Sequence, residues 1–191
     1  MDTRIEGARQ PAFWRDMGAS DHACQVYGDE NDLLDTLCGF IGGGLWIGES
    51  AIVIASDARL AQLEALLRQS GLDIAHFRGD HRYIALSAES TLAKFCEGGW
   101  PDEERFMEVA APLVARARGQ GRAIRAFGEM VAILWSSGQY AGAVRLEHLW
   151  NKLLAKEKMR LVCAYPRAHF AKGSLASRRS VQNAHSSLVH T

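Results

Sequence analysis

The sequence lacks the residues that a nucleotide-binding loop uses to hold phosphate. A P-loop has the spacing G-x-x-x-x-G-K-[ST], whose backbone and lysine surround a triphosphate. Here a glycine-rich turn and an apolar strand, within residues 39–55, lead into the junction Ala55-Ser56-Asp57-Ala58-Arg59, which has neither glycine nor lysine. An aspartate stands where an anion would bind. The junction therefore excludes a standard triphosphate site.

Excess charge and long apolar runs are also missing. The 22 basic and 22 acidic residues give a formal net charge of zero, so nothing global attracts nucleic acid or an anionic membrane. No apolar run approaches the length of a membrane span. The first residues, MDTRIEGARQPAFW, lack the apolar core of a signal peptide. We therefore predict a cytoplasmic protein and expect neither membrane nor nucleic acid as a partner.

The four cysteines, Cys24, Cys38, Cys96 and Cys163, form no C-x-x-C pair and no Cys/His cluster with zinc-type spacing. We predict buried, reduced thiols that act as small apolar side chains, with a disulfide or a redox sensor as the alternative. The sequence therefore predicts no metal and no cofactor.

Apolar strands alternate with amphipathic helices along the chain. Strands are predicted at residues 22–27, 51–55, 82–87, 123–131 and 160–165. Helices are predicted at 30–41, where Gly42-Gly43-Gly44 ends the helix, and at 57–70, 89–97, 103–118 and 139–156. This alternation indicates an α/β fold: a three-layer, five- or six-stranded, mostly parallel sheet with helices on both faces.

We divide the chain into three parts. Residues 1–20 are predicted to be an N-terminal arm, and residues 21–170 the α/β domain. Residues 171–191 are basic and rich in serine. They are either a solvated tail or a final docked helix whose apolar contacts are Leu175, Val181 and Leu188.

Five segments resemble a known family in both order and spacing. They read HACQVYGDENDLLDTLCGFIGGGLWIGESAIVIAS, RAFGEMVAILW, RLEHLWNKL, LVCAYP and NAHSSLV. Over roughly residues 20–190 the chain resembles the MEDS domain, the methanogen/methylotroph sensory domain named from a dichloromethane-responsive regulator. The resemblance implies a RecA/KaiC-like fold without a standard P-loop and a role in sensing or signal transduction. Relatives occur alone or joined to histidine kinase and DNA-binding modules. The resemblance thus implies a histidine kinase or transcription regulator as partner, or self-association into a homo-oligomer.

Candidate ligand-binding residues follow from a general rule of parallel sheets. Ligands bind beyond the carboxyl ends of the strands. The residues that this rule selects are Tyr27, Ser56, Asp57, Phe127, Glu129 and Tyr165. Ser56 and Asp57 are either ligand contacts or an ordinary helix cap. Glu129 is either a hydrogen-bonded carboxylate that positions a ligand or, in an ATPase, a catalytic one.

His22 and His185 complete the candidate site residues. A histidine pair can bind metal or report pH. Because the two lie far apart in the sequence, a separate structural role for each is the interpretation that the sequence favours.

These observations predict a non-catalytic sensory or regulatory domain. It would bind a small-molecule effector or a partner signalling protein, and the ligand would act by favouring one arrangement of the loops at the strand ends. The alternatives are a divergent nucleotide-binding protein with weak ATPase activity and a pure interaction module.

Overall fold

The computed structural model of the chain describes residues 13–191, so most of the predicted N-terminal arm, residues 1–12, lies outside the described residues. A short 3₁₀ turn, Phe13–Asp16, precedes the first strand. Six strands form one parallel sheet. They are β1 (His22–Tyr27), β2 (Ser50–Ala55), β3 (Tyr83–Ser87), β6 (Ile124–Gly128), β7 (Arg160–Pro166) and β8 (Ser187–His190), in the spatial order β3-β2-β6-β7-β1-β8. Two further strands, β4 (Cys96–Glu97) and β5 (Trp100–Pro101), pair only with each other.

Helices connect the strands. They are α1 (Glu30–Leu37), α2 (Gly43–Trp46), α3 (Asp57–Gln69), α4 (Ile74–Gly79), α5 (Ala88–Leu92), α6 (Glu103–Arg118), α7 (Met130–Ser136), α8 (Tyr140–Lys156), α9 (Arg167–Phe170) and α10 (Leu175–Ala184). Within residues 13–191, none of them combines the length and the apolar character that crossing a bilayer requires.

The strands alternate their side chains between two cores. Ala51 and Val53 of β2 lie in a core with α1, α3 and α4, which we call the first face. Ile52 and Ile54 of the same strand lie in a core with α5 to α8 and α10, the second face. Both sides of the sheet are thus covered, as the unbroken apolar sequence of the strands predicts. The predicted three-layer α/β fold is confirmed.

The glycine run after α1 does not end the helix as predicted. A π-helical turn, Cys38–Gly42, continues directly into α2. A Cβ atom at Gly42 would lie 3.0 Å from Leu67, and one at Gly44 would lie 2.7 Å from the side chain of Arg125. These glycines therefore serve close packing of the helix on its neighbours.

The predicted helix at 89–97 is also shorter than expected. It ends at Leu92, and β4 and β5 form a tight hairpin after it. Gly98 and Gly99 both have positive φ, at 55° and 79°. Two such residues give the primed turn that joins hairpin strands most readily.

The C-terminal segment forms part of the domain core. Helix α10 buries Val181, and the strand β8 pairs in parallel with β1. Leu188, predicted as a helical contact, lies in this strand. No sequence pattern predicted the strand.

The switch point of the sheet lies between β2 and β6. The helix after β2, α3, packs on the first face, whereas the helices after β6, α7 and α8, pack on the second. Because the two connections leave on opposite sides, a crevice forms beyond the carboxyl ends of these neighbouring strands, where ligands bind in open α/β sheets.

Candidate functional site

At the switch point, a glutamate of the chain occupies the position of an anion. The backbone N–H of Ser56, at the start of α3, donates to Glu129 Oε2 at 2.7 Å. The backbone N–H of Glu129 donates to the carbonyl of Ile54 at 2.8 Å. Helix N-termini attract negative groups because their N–H groups are unpaired. The Glu129 carboxylate therefore takes up one backbone N–H at the start of α3 that an anionic ligand could otherwise bind.

A single arginine connects three elements around this carboxylate. The Arg59 guanidinium, on α3, donates to Glu129, to Glu30 at the start of α1, and to the Tyr27 hydroxyl at 3.1 Å. We call these four residues the Arg59 clasp. Arg59 is 7% exposed, whereas the side chain of Glu30 is 58% exposed. Glu30 is thus the member that a competing group could most easily replace.

Burial and neighbouring charges set the protonation of Arg59 and Tyr27 in the Arg59 clasp. Burial opposes the charge on Arg59, but Glu129 and then Glu30 outweigh it and hold the pKa of the guanidinium above its ordinary value. Burial raises the pKa of Tyr27 to about 12. At neutral pH Arg59 therefore stays charged and Tyr27 keeps its proton.

The other strand-end candidates divide between the two faces. Ser56 accepts the N–H of Arg59 through its hydroxyl at 3.4 Å and so caps α3, while Asp57 is exposed in the first turn. Phe127 is buried in the core of the first face. Tyr165 lies on the second face, away from the Arg59 clasp, because its side chain is buried against α8.

A second polar site lies inside the second face, where His22 and His185 meet. Their ring centroids are 4.0 Å apart, and Glu147 of α8 and Cys163 of β7 adjoin them. We call these four residues the histidine cluster. One ligand atom from each residue lies within 4.8 Å of all the others. The interpretation that His22 and His185 have separate roles is wrong, because their rings meet. The cluster has no zinc-type spacing in the sequence, since it draws one residue from each of four segments.

Neighbouring groups fix the orientation of both rings. Asn151 donates through its amide nitrogen to the carbonyl of Ala184 at 2.7 Å, so its oxygen faces His22 Nδ1 at 2.8 Å and must accept the ring proton. His185 Nδ1 lies 2.6 Å from the carbonyl of Val181, which also can only accept. Both rings therefore carry the proton on Nδ1, and both present Nε2 to Glu147 and Cys163.

Burial and mutual charge set the ionisation of the histidine cluster. Burial, aided by His185, lowers the pKa of His22 to about 4. For Glu147, burial opposes ionisation, but His185, His22 and the Tyr165 hydroxyl, which donates to Oε1 at 2.5 Å, together hold the pKa at about 2. Burial raises the pKa of the Cys163 thiol well above its ordinary value. Glu147 is therefore an ionised carboxylate with no exposure to solvent.

Sequence reasoning missed Arg59, Glu30, Glu147 and Cys163 as site residues. One signal was available: Glu147 occupies the apolar stripe of α8, in register with Ala143, Trp150 and Leu154, all of which are buried. A carboxylate on a buried stripe requires a partner. No comparable pattern marks Arg59, whose burial depends on the reach of its side chain.

A cavity of about 300 Å³ opens at the opposite, amino edge of the sheet. Its lining includes Trp14, Met17, Ile47 and the side chains of Arg125 and Arg160. Both arginines pair with Glu49, at 2.5 and 3.0 Å. A third arginine, Arg15, also lines it, so the cavity is rich in positive side chains, and none of the predicted site residues lines it.

Solved structures with the same architecture come from the archaeon Pyrococcus horikoshii OT3. The KaiC-like protein PH0186 has a TM-score of 0.61 at 9% identity, over 91% of this chain and 73% of that chain. The protein PH0250 has a TM-score of 0.57 at 10% identity, over 93% and 85%. At this identity the likeness shows the fold alone, which is KaiC/RecA-like. No match is found among curated proteins.

A family model matches most of the domain. It is the model for MEDS, the methanogen/methylotroph, DcmR sensory domain, and it matches residues 21–181. The match includes the Arg59 clasp and, of the histidine cluster, every residue but His185. This chain belongs to the MEDS family of sensory domains.

Proposed function

We propose that the chain senses a small organic monoanion at the Arg59 clasp without catalysing a reaction. The observation that carries this proposal is the Glu129 carboxylate on the Ser56 N–H. This contact supports recognition of a ligand without hydrolysis of a nucleotide, because a carboxylate of the chain itself accepts the N–H at the switch point.

Charge balance favours a ligand with one carboxylate. Glu30 is mostly exposed and makes one of the two ion pairs of Arg59. A ligand carboxylate that replaces Glu30 on Arg59 leaves the local net charge unchanged. A triphosphate would add several negative charges beside Glu129 and Asp57, with no lysine or metal ligand to neutralise them.

Replacement of Glu30 would change the arrangement of two helices. The Arg59 clasp joins the start of α1 to α3 and to the segment before α7. A ligand on Arg59 would release the start of α1 and favour a second arrangement of the strand-end loops. We propose that a signalling partner, a histidine kinase or a transcription regulator, or a second copy of the chain responds to this change.

We expect small carboxylates, but not the matching amides, to stabilise the protein. Thermal denaturation compares carboxylates of increasing size, from acetate to benzoate, with the matching amides, from acetamide to benzamide. At one hundred times its dissociation constant, a ligand stabilises by about 2.7 kcal/mol, which for a domain of this size raises Tm by about 5–10 °C. The Glu30→Gln variant should bind the carboxylate at a lower concentration than wild type does, because the side chain that competes for Arg59 has lost its charge.

Arg59→Met should abolish the shift, and the control Arg68→Met on the same helix should keep it. A carboxylate effect that survives Arg59→Met but disappears in Arg160→Met would place the ligand in the amino-edge cavity and contradict the proposed site. A series without any stabilising carboxylate would contradict the ligand class.

We expect no ATP hydrolysis. Purified protein with ATP and Mg²⁺ should release phosphate no faster than the Glu129→Ala variant, because the junction of residues 55–59 has no lysine for the β/γ-phosphates and its Ser56 hydroxyl caps α3. Turnover above that control, lost in the variant, would establish the ATPase alternative instead.

A further inference from the structure

We infer that the histidine cluster is a binding site for a divalent transition-metal ion of the zinc type. The inference is independent of the ligand proposed at the Arg59 clasp, since the two sites lie on opposite faces of the sheet. It rests on the ligand types, their spacing, their orientation and their unsatisfied atoms.

The donor set matches zinc chemistry. Zn²⁺ in closed protein sites takes four ligands from thiolate, imidazole and carboxylate, arranged as a tetrahedron. The histidine cluster offers Cys163 Sγ, two imidazole Nε2 atoms and Glu147 Oε2. Cys163 would release its thiol proton to water as the ion binds, and the resulting thiolate and the Glu147 carboxylate would balance the two positive charges of the ion.

Three of the six distances between the ligand atoms match the edges of a coordination tetrahedron. With zinc–ligand bonds of about 2.0–2.3 Å, neighbouring ligand atoms should lie about 3.3–3.6 Å apart. His22 Nε2 lies 3.3 Å from Cys163 Sγ and 3.4 Å from Glu147 Oε2, and His185 Nε2 lies 3.5 Å from the same oxygen. The other three pairs of ligand atoms lie within 4.8 Å of each other, so an ion would draw them together by up to about 1 Å.

Two of these ligand atoms make no hydrogen bond to any described residue, although they lie 3.5 Å from each other and Glu147 Oε2 lies 3.4 Å from His22 Nε2. Within residues 13–191, Glu147 Oε2 and His185 Nε2 are buried without a hydrogen bond. Unpaired buried polar atoms are costly and uncommon. A cation between them would satisfy both.

The outer contacts are those of a built site. Metal-binding histidines donate their other ring N–H to a carbonyl or similar acceptor, which fixes the tautomer. His22 donates to Asn151 and His185 donates to Val181, which leaves both Nε2 atoms directed inward. Tyr165 donates to the other oxygen of Glu147 and holds Oε2 toward the centre.

Such an ion would connect the C-terminal segment to the core. His185 follows α10 and precedes β8, whereas the other ligands lie on β1, α8 and β7. All four side chains are buried, so the segment that carries His185 must move away to admit the ion. Four protein ligands leave no open coordination position, which suits a structural or regulatory ion.

The test loads metal-free full-length protein with Zn²⁺ and, separately, with Co²⁺. We expect one ion per chain, and for Co²⁺ the visible bands of tetrahedral coordination with a near-ultraviolet thiolate-to-cobalt band. Cys163→Ser should remove the thiolate band, and the control Cys38→Ser should keep it. Asn151→Ala keeps all four ligands and should weaken metal affinity by about 10–100-fold.

The wild-type measurements alone can overturn the inference, whether or not a variant folds. Folded wild-type protein that binds no stoichiometric ion would do so. Octahedral Co²⁺ without a thiolate band would also overturn it. The same holds for a thiolate band that is lost in Cys38→Ser and kept in Cys163→Ser.

Discussion

Arg59→Met should lower the free energy of unfolding by about 2–3 kcal/mol, because it leaves the carboxylate of Glu129 largely buried without its cation. The Ser56 N–H still donates to that carboxylate, which keeps the loss below that of a fully isolated charge. Glu30 contributes little to it, since its side chain is mostly exposed. Urea denaturation measures the change.

Arg68→Met is the matched control on the same helix. Arg68 pairs with Glu64 at i,i+4, and its side chain is 55% exposed. Glu64 is buried but also pairs with Arg78, so it keeps a cation, and the loss of the exposed Arg68 should cost about 0.3–0.5 kcal/mol. Equal losses for the two variants would mean that the Arg59 clasp is an ordinary surface network.

The double variant Arg59→Met, Glu129→Gln shows how much of the lost stability comes from leaving the Glu129 charge buried without a cation. Once Glu129 is uncharged, the removal of Arg59 leaves no buried charge behind. We therefore expect the second substitution to recover part of the stability that the first one removes. Simple addition of the two losses would show that the residues act independently.

Gly173→Ala should destabilise the protein by about 2–3 kcal/mol, because a methyl group at this position would overlap the indole ring of Trp135. Trp135 is fully buried. It is held by edge or stacking contacts with Tyr140, Tyr165 and Phe170 and donates from its indole nitrogen to the carbonyl of His169 at 3.0 Å. The ring therefore has little freedom to move aside, and denaturant unfolding should report the strain.

Gly79→Ala provides the control for this substitution. Gly79 ends α4, and a Cβ atom there would meet nothing within 4 Å. Alanine should be neutral or stabilise by up to about 1 kcal/mol. In a Trp135→Phe background, which lacks the outer indole atoms, Gly173→Ala should cost much less. An unchanged cost in that background would contradict the proposed overlap.

The fold could be predicted because its signals are local. Residues 51–55 form an unbroken apolar strand, and Asp29 and Ser56 each cap the helix that follows directly. These signals act within a few positions of each other in the sequence. The errors arose where local signals conflict with packing. Gly42 and Gly44 suggest a break, but the helix continues through them because neighbouring side chains fill the space that a Cβ would take.

The candidate sites could be predicted only in part. The rule for strand ends selected Tyr27, Ser56 and Glu129 because the carboxyl ends of parallel strands meet at one edge. It did not select Arg59, whose side chain reaches this edge from the first turn of a helix. The histidine cluster was beyond prediction, since His22 and Cys163 are 141 positions apart and meet only through the pairing of β1 with β7.

The place of β1 in the sheet has a consequence for biosynthesis. This strand is the first to leave the ribosome, yet both of its neighbours, β7 and β8, are the last two strands to be made. Until they emerge, its apolar residues and unpaired backbone groups are without their native cover and can pair with other nascent chains. The sheet therefore cannot close around β1 until residues 187–190 have been made.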